Sequence, residues 1–338
     1  MPKYNVARIE NSPSKIQLAR ISHVYVEHSD LDSFKQFSQD FGLEEVTTQG
    51  DSIYFRGFGR DQYCYVAQKG LKDRFLGGAF VAQTEADFLK ATKLPGAEIQ
   101  SLEHTPGKGQ AAVVPTPGGC FIHIIWGKKD RDGPFKTVTS TVISMGPLNG
   151  PLEKRRKGEF QRFKRGPAMV HKLGHYGFVS TAFEAEIDFY TSNFNFVPTD
   201  ILHMPGNPDL DLLVFFHLDL GDEYSDHHTL FMQRASPDSS KPGMSASRVH
   251  HCSFEVEDFD TQVLGHEWLA SKGYNSVWGV GRHVFGSQIF DYWKDTSGFV
   301  VEHYADGDLV NKDAIAERQE AGPNTLSIWG PPVPDAFP

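Results

Sequence analysis

The chain repeats one pattern, a strand followed by a short helix and further strands, four times along its 338 residues. The four copies begin with predicted strands at Ile21–Val26, Gly78–Ala82, Leu173–Phe178 and Val249–Val256. Predicted helices follow at Asp32–Leu43, Glu85–Leu94, Ala185–Phe196 and Thr261–Lys272. A unit of about 60–75 residues is longer than most solenoid repeats, so the repetition indicates four related modules in tandem.

Matching apolar stripes on the first and third predicted helices support the repetition. The stripes are Phe34, Phe37 and Phe41 on one helix, and Ile187, Tyr190 and Phe194 on the other. Residues spaced by three and four lie on one helix face, which then packs on a sheet. The pattern predicts an α+β fold with two pairs of modules, at about 15–130 and 168–306. We expect an N-terminal domain at 1–145, a C-terminal domain at 146–306 and a tail at 307–338.

Composition narrows the classes of function. Lys and Arg number 33 and Asp and Glu 43, giving a net charge of −10, which argues against a nucleic-acid-binding protein. No apolar run is long enough to span a membrane, and the first residues lack the apolar core of a signal peptide. Cys64, Cys120 and Cys252 are too scattered for a disulfide framework. We expect a cytoplasmic protein that binds neither nucleic acid nor membrane.

Two segments lie outside the repeats. One segment is a basic run, which comprises Lys154–Lys157 with Arg162, Lys164 and Arg165. It is either an anion-binding patch or a solvated connection between domains, and the net negative charge of the chain favours the connection. The run Gly330–Pro334 contains three prolines and cannot form a regular helix or an inner strand. It predicts a strap over the surface or over the mouth of a site.

The fourth module offers polar groups on one face of its first strand. Because side chains alternate along a strand, His251 and Glu255 share a face that Cys252 does not. Glu302 on the module's last strand can join His251, and His175 occupies the equivalent place in the third module. Two imidazoles and one carboxylate form the facial triad of non-heme Fe(II) oxygenases. Each histidine taken alone is more often a hydrogen-bonded structural or surface residue, and it is the equivalent placement of His175 and His251 in the duplicated frame that favours a site.

A motif in the last module identifies a family. It comprises Gly281-Arg282-His283, Tyr292, Asp295, Gly298 and Glu302, with nine residues from His283 to Tyr292 and ten from Tyr292 to Glu302. The paired βαβββ modules resemble the vicinal oxygen chelate superfamily, which has the glyoxalase/bleomycin resistance/dihydroxybiphenyl dioxygenase fold. The C-terminal half is similar to type I extradiol dioxygenases of the catechol 2,3-dioxygenase (metapyrocatechase) group. Asp291 and Thr296 depart from the usual pattern, in which an apolar residue and a proline are common.

The resemblance implies a metal site and three catalytic groups. The implied ligands are His175, His251 and Glu302, with His250 as the alternative to His251 if the strand register slips by one. They suit Fe(II), and Mn(II) fits the same set. His228 matches the family's acid–base histidine, although His227-His228 could also be a pair at a surface turn. His283 and Tyr292 are implied to contact the catechol, with Tyr292 donating to a catecholate oxygen.

Weaker expectations concern the surroundings of the site. Trp278, Val284, Phe285 and Phe290 are expected as apolar walls. In the N-terminal half, His23, either Gly77 or Gly78, and His123 stand at the places of the three ligands. That set is not a complete triad, so we expect the first half to be structural.

The expected function is cleavage of a catecholic substrate by O2, and we expect the chain to form a homo-oligomer. Two alternatives stay open: an oxygenase of the 4-hydroxyphenylpyruvate dioxygenase type, and a glyoxalase-like isomerase or a ligand-binding protein of the bleomycin-resistance type. Homoprotocatechuate-type members of the family hold a substrate carboxylate with an arginine five residues before the family histidine. Trp278 stands there, which predicts an alkyl-catechol, an aryl-catechol or a trihydroxylated arene.

Overall fold

Two large β-sheets, one in each half of the chain, form the frame of the protein. The computed structural model describes residues 3–133, 148–236, 246–322, 325–334 and 337, so the predicted domain boundary at 145/146 lies outside the described residues. The first half contains β1 (Leu18–His28), α1 (Leu31–Asp40), β2 (Glu44–Gln49), β3 (Ser52–Arg56), β4 (Tyr65–Lys69), β5 (Arg74–Ala82), α2 (Glu85–Ala91), β6 (Glu98–Ser101), β7 (Gln110–Pro115) and β8 (Phe121–Trp126).

The second half repeats this succession and adds short strands. It contains β9 (Lys172–Ser180), α3 (Phe183–Asn193), β10 (Phe196–Met204), β11 (Asn207–Leu218), β12 (Ser225–Asp226), β13 (Leu230–Arg234), β14 (Arg248–Glu255), α4 (Phe259–Ser271), β15 (Asn275–His283), β16 (Ile289–Lys294), β17 (Val300–Ala305), β18 (Leu309–Val310), β19 (Glu317–Glu320) and β20 (Ser327–Trp329). No described helix is long and apolar enough to cross a bilayer.

The strand pairing repeats as well. In the first sheet β1 and β5 pair antiparallel at the centre, and each is flanked by its module's last strand, β4 or β8, in parallel. In the second sheet β9 and β14 pair in the same way and are flanked by β13 and β17. The predicted α+β fold of tandem βαβββ modules is therefore confirmed.

Helix α1 shows how the apolar stripe builds the core. Asp30 caps the helix by accepting a hydrogen bond from the backbone of Ser33, and Phe34 and Phe37 are buried on one face. Burial of each such ring contributes on the order of 2 kcal/mol. The helix ends at Asp40, earlier than predicted, because Gly42 takes a φ of +97° and turns the chain toward β2.

The C-terminal tail extends the second sheet at both edges. Strand β19 pairs in parallel with β10, and β20 pairs antiparallel with β15. The following residues Val333, Pro334 and Phe337 then lie over a cavity of that sheet. The proline-rich run thus forms the strap that its sequence predicted. The side chains of Lys154 and Arg155, in the basic connection, are exposed to solvent.

Candidate metal centre

Three buried side chains converge at the centre of the second sheet, where β9, β14 and β17 lie side by side. Ser253 of β14 is paired with His175 of β9 and with Glu302 of β17. His251 lies two residues before Ser253, and side chains two apart on a strand share a face. The exposed fractions of His175, His251 and Glu302 are 2%, 5% and 0%.

The three side chains bring one atom each into a small triangle. The Nε2 atoms of His175 and His251 are 3.2 Å apart, and each lies 3.3 Å from Oε2 of Glu302. All the potential ligand atoms lie within 4.8 Å of one another. The structure therefore brings together the three residues that the sequence predicted as ligands, in the donor set of a facial triad.

The hydrogen bonding of this cluster fits a bound cation. Neither carboxylate oxygen of Glu302 has a hydrogen-bond partner in the described structure, although both are buried. A buried carboxylate without a partner is costly, because the lost hydration is not replaced. A divalent metal ion facing Glu302 and the two Nε2 atoms would compensate for that cost.

The protonation states of the cluster also suit a metal ion. Burial lowers the pKa of His251 to about 4, so its imidazole is neutral at physiological pH. Burial acts to raise the pKa of Glu302, but the close imidazoles of His175, His251 and His283 hold it well below its ordinary value. Neutral imidazoles and an ionised carboxylate are the forms that bind metal ions.

His250 also faces the site, which alternation along the strand did not predict. The pairing of β14 with β9 shifts register between Val249 and His251, so a β-bulge interrupts the alternation at His250. The Nδ1 atoms of His250 and His251 are 2.9 Å apart. This contact occupies Nδ1 of His251 and directs its Nε2 toward the cluster, as the partners of ligating histidines do.

A cavity of about 220 Å³ opens beside the cluster. His175, His251, His228, His283 and Tyr292 all face it. The remaining lining is mostly apolar and consists of Leu213, Phe215, Phe231, Gln233, His250, Trp278, Phe285, Gln288, Leu326, Val333, Pro334 and Phe337.

The predicted apolar walls are partly correct. Trp278 and Phe285 line the cavity, and Phe290 packs behind Trp278 with 4.1 Å between ring centroids. The prediction is wrong for Val284, which is 37% exposed because the chain turns away there into the 3-10 turn Phe285–Ser287.

His228 lies against the ligand cluster from the side of the third module. Its ring centroid is 4.2 Å from that of His175, and it is 3% exposed. Burial, reinforced by the neighbouring imidazoles, lowers the pKa of His228 well below 6.5. The side chain is therefore a neutral base next to the cavity. The alternative of a surface turn is wrong, because both His227 and His228 are buried.

His283 and Tyr292 form a hydrogen-bonded pair at the other side of the cavity. Nδ1 of His283 donates to the carbonyl of Leu326 at 2.7 Å, which leaves Nε2 as the nitrogen that can accept a hydrogen bond. The hydroxyl of Tyr292 lies 2.8 Å from that Nε2 and donates to it. In this structure the Tyr292 proton is directed at His283, whereas the family resemblance implied that it is donated to a catecholate oxygen.

Asp291, which departs from the family pattern, has partners of its own. Strand alternation directs it away from the cavity that Tyr292 faces. His266 of α4 lies 2.9 Å from one of its carboxylate oxygens, and the indole of Trp293 donates to the other at 2.7 Å. His266 and Trp293 thus compensate for the burial of the Asp291 carboxylate. An apolar residue is common at the position of Asp291 in the family.

We expect His266→Ala to lower the free energy of unfolding by about 2 kcal/mol, because buried Asp291 loses a partner. The hydrogen bond to Asp291 raises the pKa of His266 above 6.5. The stability gained by protonating His266 is therefore complete below pH 6.5 and lost as the pH rises through the raised pKa. Urea denaturation should show a larger deficit at pH 6 than at pH 9. The exposed His104 provides the control variant His104→Ala, and equal stabilities of His266→Ala and wild type at pH 6 would contradict the assignment.

The equivalent place in the first sheet is filled by side chains. Strand pairing sets Gly77 opposite Tyr25, so Gly77 corresponds to His251, and His123 corresponds to Glu302. The ring of Tyr25 lies 4.8 Å from that of His23 and 4.4 Å from that of His123, between the two histidines. Within the described ranges, a three-ligand cluster is found only in the second sheet.

Comparisons with known proteins agree with this geometry. Residues 172–303 match the Glyoxalase/Bleomycin resistance protein/Dioxygenase superfamily. The chain is 27% identical over 329 residues to Metapyrocatechase 2 of Cupriavidus necator, covering 94% of this chain and 90% of that protein.

Two solved structures share the fold. One is the Mn(II)-bound glyoxalase from Novosphingobium aromaticivorans, with a TM-score of 0.73, 19% identity and coverage of 96% of this chain and 95% of that chain. The other is homoprotocatechuate 2,3-dioxygenase from Brevibacterium fuscum, with a TM-score of 0.73, 16% identity and coverage of 98% and 94%. The duplicated frame, the motif from Gly281 to Glu302 and these similarities agree: residues 172–303 match the glyoxalase, bleomycin resistance protein and dioxygenase superfamily, and the chain as a whole is similar to extradiol dioxygenases.

Proposed function

We propose that this protein is an extradiol dioxygenase that opens the ring of a catechol with O2 at a non-heme Fe(II) site held by His175, His251 and Glu302. The observation that carries the proposal is the triangle of these three ligand atoms at the floor of a mostly apolar cavity. When bound, the metal supplies a template and charge stabilisation for the two reactants. Localisation in the cytoplasm and assembly into a homo-oligomer stay predictions.

The residues around the cavity have complementary tasks in this reaction. The apolar walls hold the aromatic ring and exclude water, so that the two hydroxyls face the ligand cluster. His228 is neutral and accepts a proton from a catechol hydroxyl. Tyr292 donates its proton to His283, so its lone pairs face the cavity and can accept a hydrogen bond from the other hydroxyl.

The test is turnover with a simple catechol. Protein purified without oxygen should contain metal, and addition of 3-methylcatechol in air should produce the yellow ring-cleavage product with matching oxygen consumption. Reconstitution of stripped protein with Fe²⁺ or Mn²⁺ alone distinguishes the two metals. Neither colour nor oxygen uptake with any of a dozen catechols would exclude the proposed function.

The cavity favours an uncharged substrate. Its described lining includes no lysine or arginine. Trp278, at the place where homoprotocatechuate-type members carry arginine, is 1% exposed, and its indole donates to the carbonyl of Pro331. A substrate carboxylate would therefore be buried without a counter-charge, which costs free energy.

We expect 4-ethylcatechol to be cleaved with a kcat/KM at least about tenfold above that of 3,4-dihydroxyphenylacetate, corresponding to about 1.4 kcal/mol. The two compounds differ little in shape and mainly in the negative charge, so the comparison isolates charge. The measurement is oxygen uptake under identical conditions. Preference for the carboxylated compound would show that the enzyme binds its substrate carboxylate through another group.

A further inference from the structure

The histidine beside the proposed base is part of a buried chain of hydrogen bonds. Nδ1 of His227 lies 3.0 Å from Nδ1 of His228, and Nε2 of His227 lies 2.7 Å from a carboxylate oxygen of Asp200. His227 is 6% exposed and Asp200 is 8% exposed. The chain runs from β10 through His227 to the wall of the cavity.

The contacts of the three groups define one placement of protons when each imidazole carries a single proton. The carboxylate of Asp200 is an acceptor, so Nε2 of His227 carries a proton and donates it. When Nε2 carries the single proton of His227, its Nδ1 is an acceptor, and the contact between the two Nδ1 atoms requires a proton on Nδ1 of His228. In neutral His228 the remaining nitrogen, Nε2, therefore carries the lone pair.

His227 is also fixed in position by its surroundings. Its backbone N–H donates to the carbonyl of Asp308 at 3.0 Å, and the hydroxyl of Thr199 donates to its carbonyl at 2.8 Å. A Cβ atom on Gly286 would lie 2.9 Å from Nδ1 of His227, so the glycine leaves room for the ring. These contacts hold the ring where its Nδ1 meets His228.

We propose that His227 and Asp200 are positioning residues that hold His228 in the Nδ1–H tautomer, so that its Nε2 can accept the catechol proton. The inference rests on the proposed function for its catalytic purpose, but the hydrogen-bond assignment itself does not. In the proton transfer, the catechol O–H bond breaks and an N–H bond forms at Nε2 of His228. The resulting imidazolium keeps its Nδ1–H directed at His227, whose other nitrogen is held by the Asp200 carboxylate. In hydrolase triads an aspartate orients the catalytic histidine by accepting from its Nδ1–H, and in this protein Nδ1 of His227 takes the place of that acceptor.

Two substitutions of His227 distinguish a positioning residue for His228 from a residue that only stabilises the fold. In His227→Asn the amide oxygen can lie near the former Nδ1 and accept from His228, whereas His227→Leu has similar bulk and no acceptor. Both variants should keep the metal content and far-UV circular dichroism of wild type. Nitrogen NMR of ring-labelled histidine in the full chain, loaded with diamagnetic Zn²⁺, reads the tautomer, and His228→Gln identifies the signal.

We expect a protonated Nδ1 and an unprotonated Nε2 of His228 in wild type and in His227→Asn. In His227→Leu we expect a shift toward the Nε2–H form. A protonated Nε2 in wild type, or an unchanged tautomer in His227→Leu, would overturn the inference whether or not any catechol is cleaved. On the best catechol, kcat should fall about a hundredfold in His227→Leu but less than about tenfold in His227→Asn, with KM little changed. Equal kcat values in the two variants would refute the positioning role.

Discussion

Glu302→Ala is expected to lose the metal and, with it, all measurable turnover. Glu302 is the only carboxylate among the three groups in the described cluster, and its negative charge offsets the charge of a divalent ion. Loss of a group that only supports a ligand weakens metal binding by about 10- to 100-fold, so loss of the charged ligand itself should cost more. Metal content after anaerobic desalting should fall from about one per chain in wild type to less than about a tenth.

Thermal unfolding gives a second readout that does not depend on activity. A metal that binds the folded chain stabilises it by about 2.7 kcal/mol at a hundred times its dissociation constant. Added Fe²⁺ or Mn²⁺ under anaerobic conditions should raise the Tm of stripped wild type but not that of Glu302→Ala. His123→Ala is the matched control, because His123 occupies the same place in the first sheet, and it should retain the rise. Full metal occupancy in Glu302→Ala would refute the ligand assignment.

The modular frame could be predicted from the sequence because its signals are local. A period of two in the strands and of three to four in the helices is set by neighbouring residues, and the same signals recur in four copies. The positions of His175 and His251 follow from this repetition. The motif containing His283, Tyr292 and Glu302 could be aligned with a known family because its spacing lies within one module.

The groups that hydrogen-bond to the site histidines could not be predicted, because these contacts join segments that are distant in the sequence. Asp200 meets His227 across 27 residues, and the carbonyl of Leu326 meets His283 across 43. His250 faces the site through a β-bulge, which strand alternation cannot show. The proton placement on His228 and on Tyr292 depends on these contacts. Residue types alone therefore indicated the chemistry but not the direction of its hydrogen bonds.

Loss of the proposed base should lower turnover without removing the metal, whereas loss of a ligand should remove the metal. His228→Ala is expected to keep its metal, because His228 lies beside His175 and outside the ligand triangle. Its kcat should fall by about 10²- to 10⁴-fold, the range that a positioned general base contributes. Metal analysis and oxygen uptake on one preparation provide the comparison. His28→Ala removes an equally buried, hydrogen-bonded imidazole from the first sheet and should leave kcat within about threefold.

The acidity of the substrate tests whether proton removal is the step that His228 assists. A nitro group makes catechol acidic enough to lose its first proton in neutral water, so such a substrate has less need of a base. We therefore expect the ratio of the wild-type kcat to the kcat of His228→Ala to be smaller with 4-nitrocatechol than with 4-ethylcatechol. An equal deficit with both substrates would mean that His228 acts after deprotonation. Loss of metal in His228→Ala would instead place this histidine among the ligands.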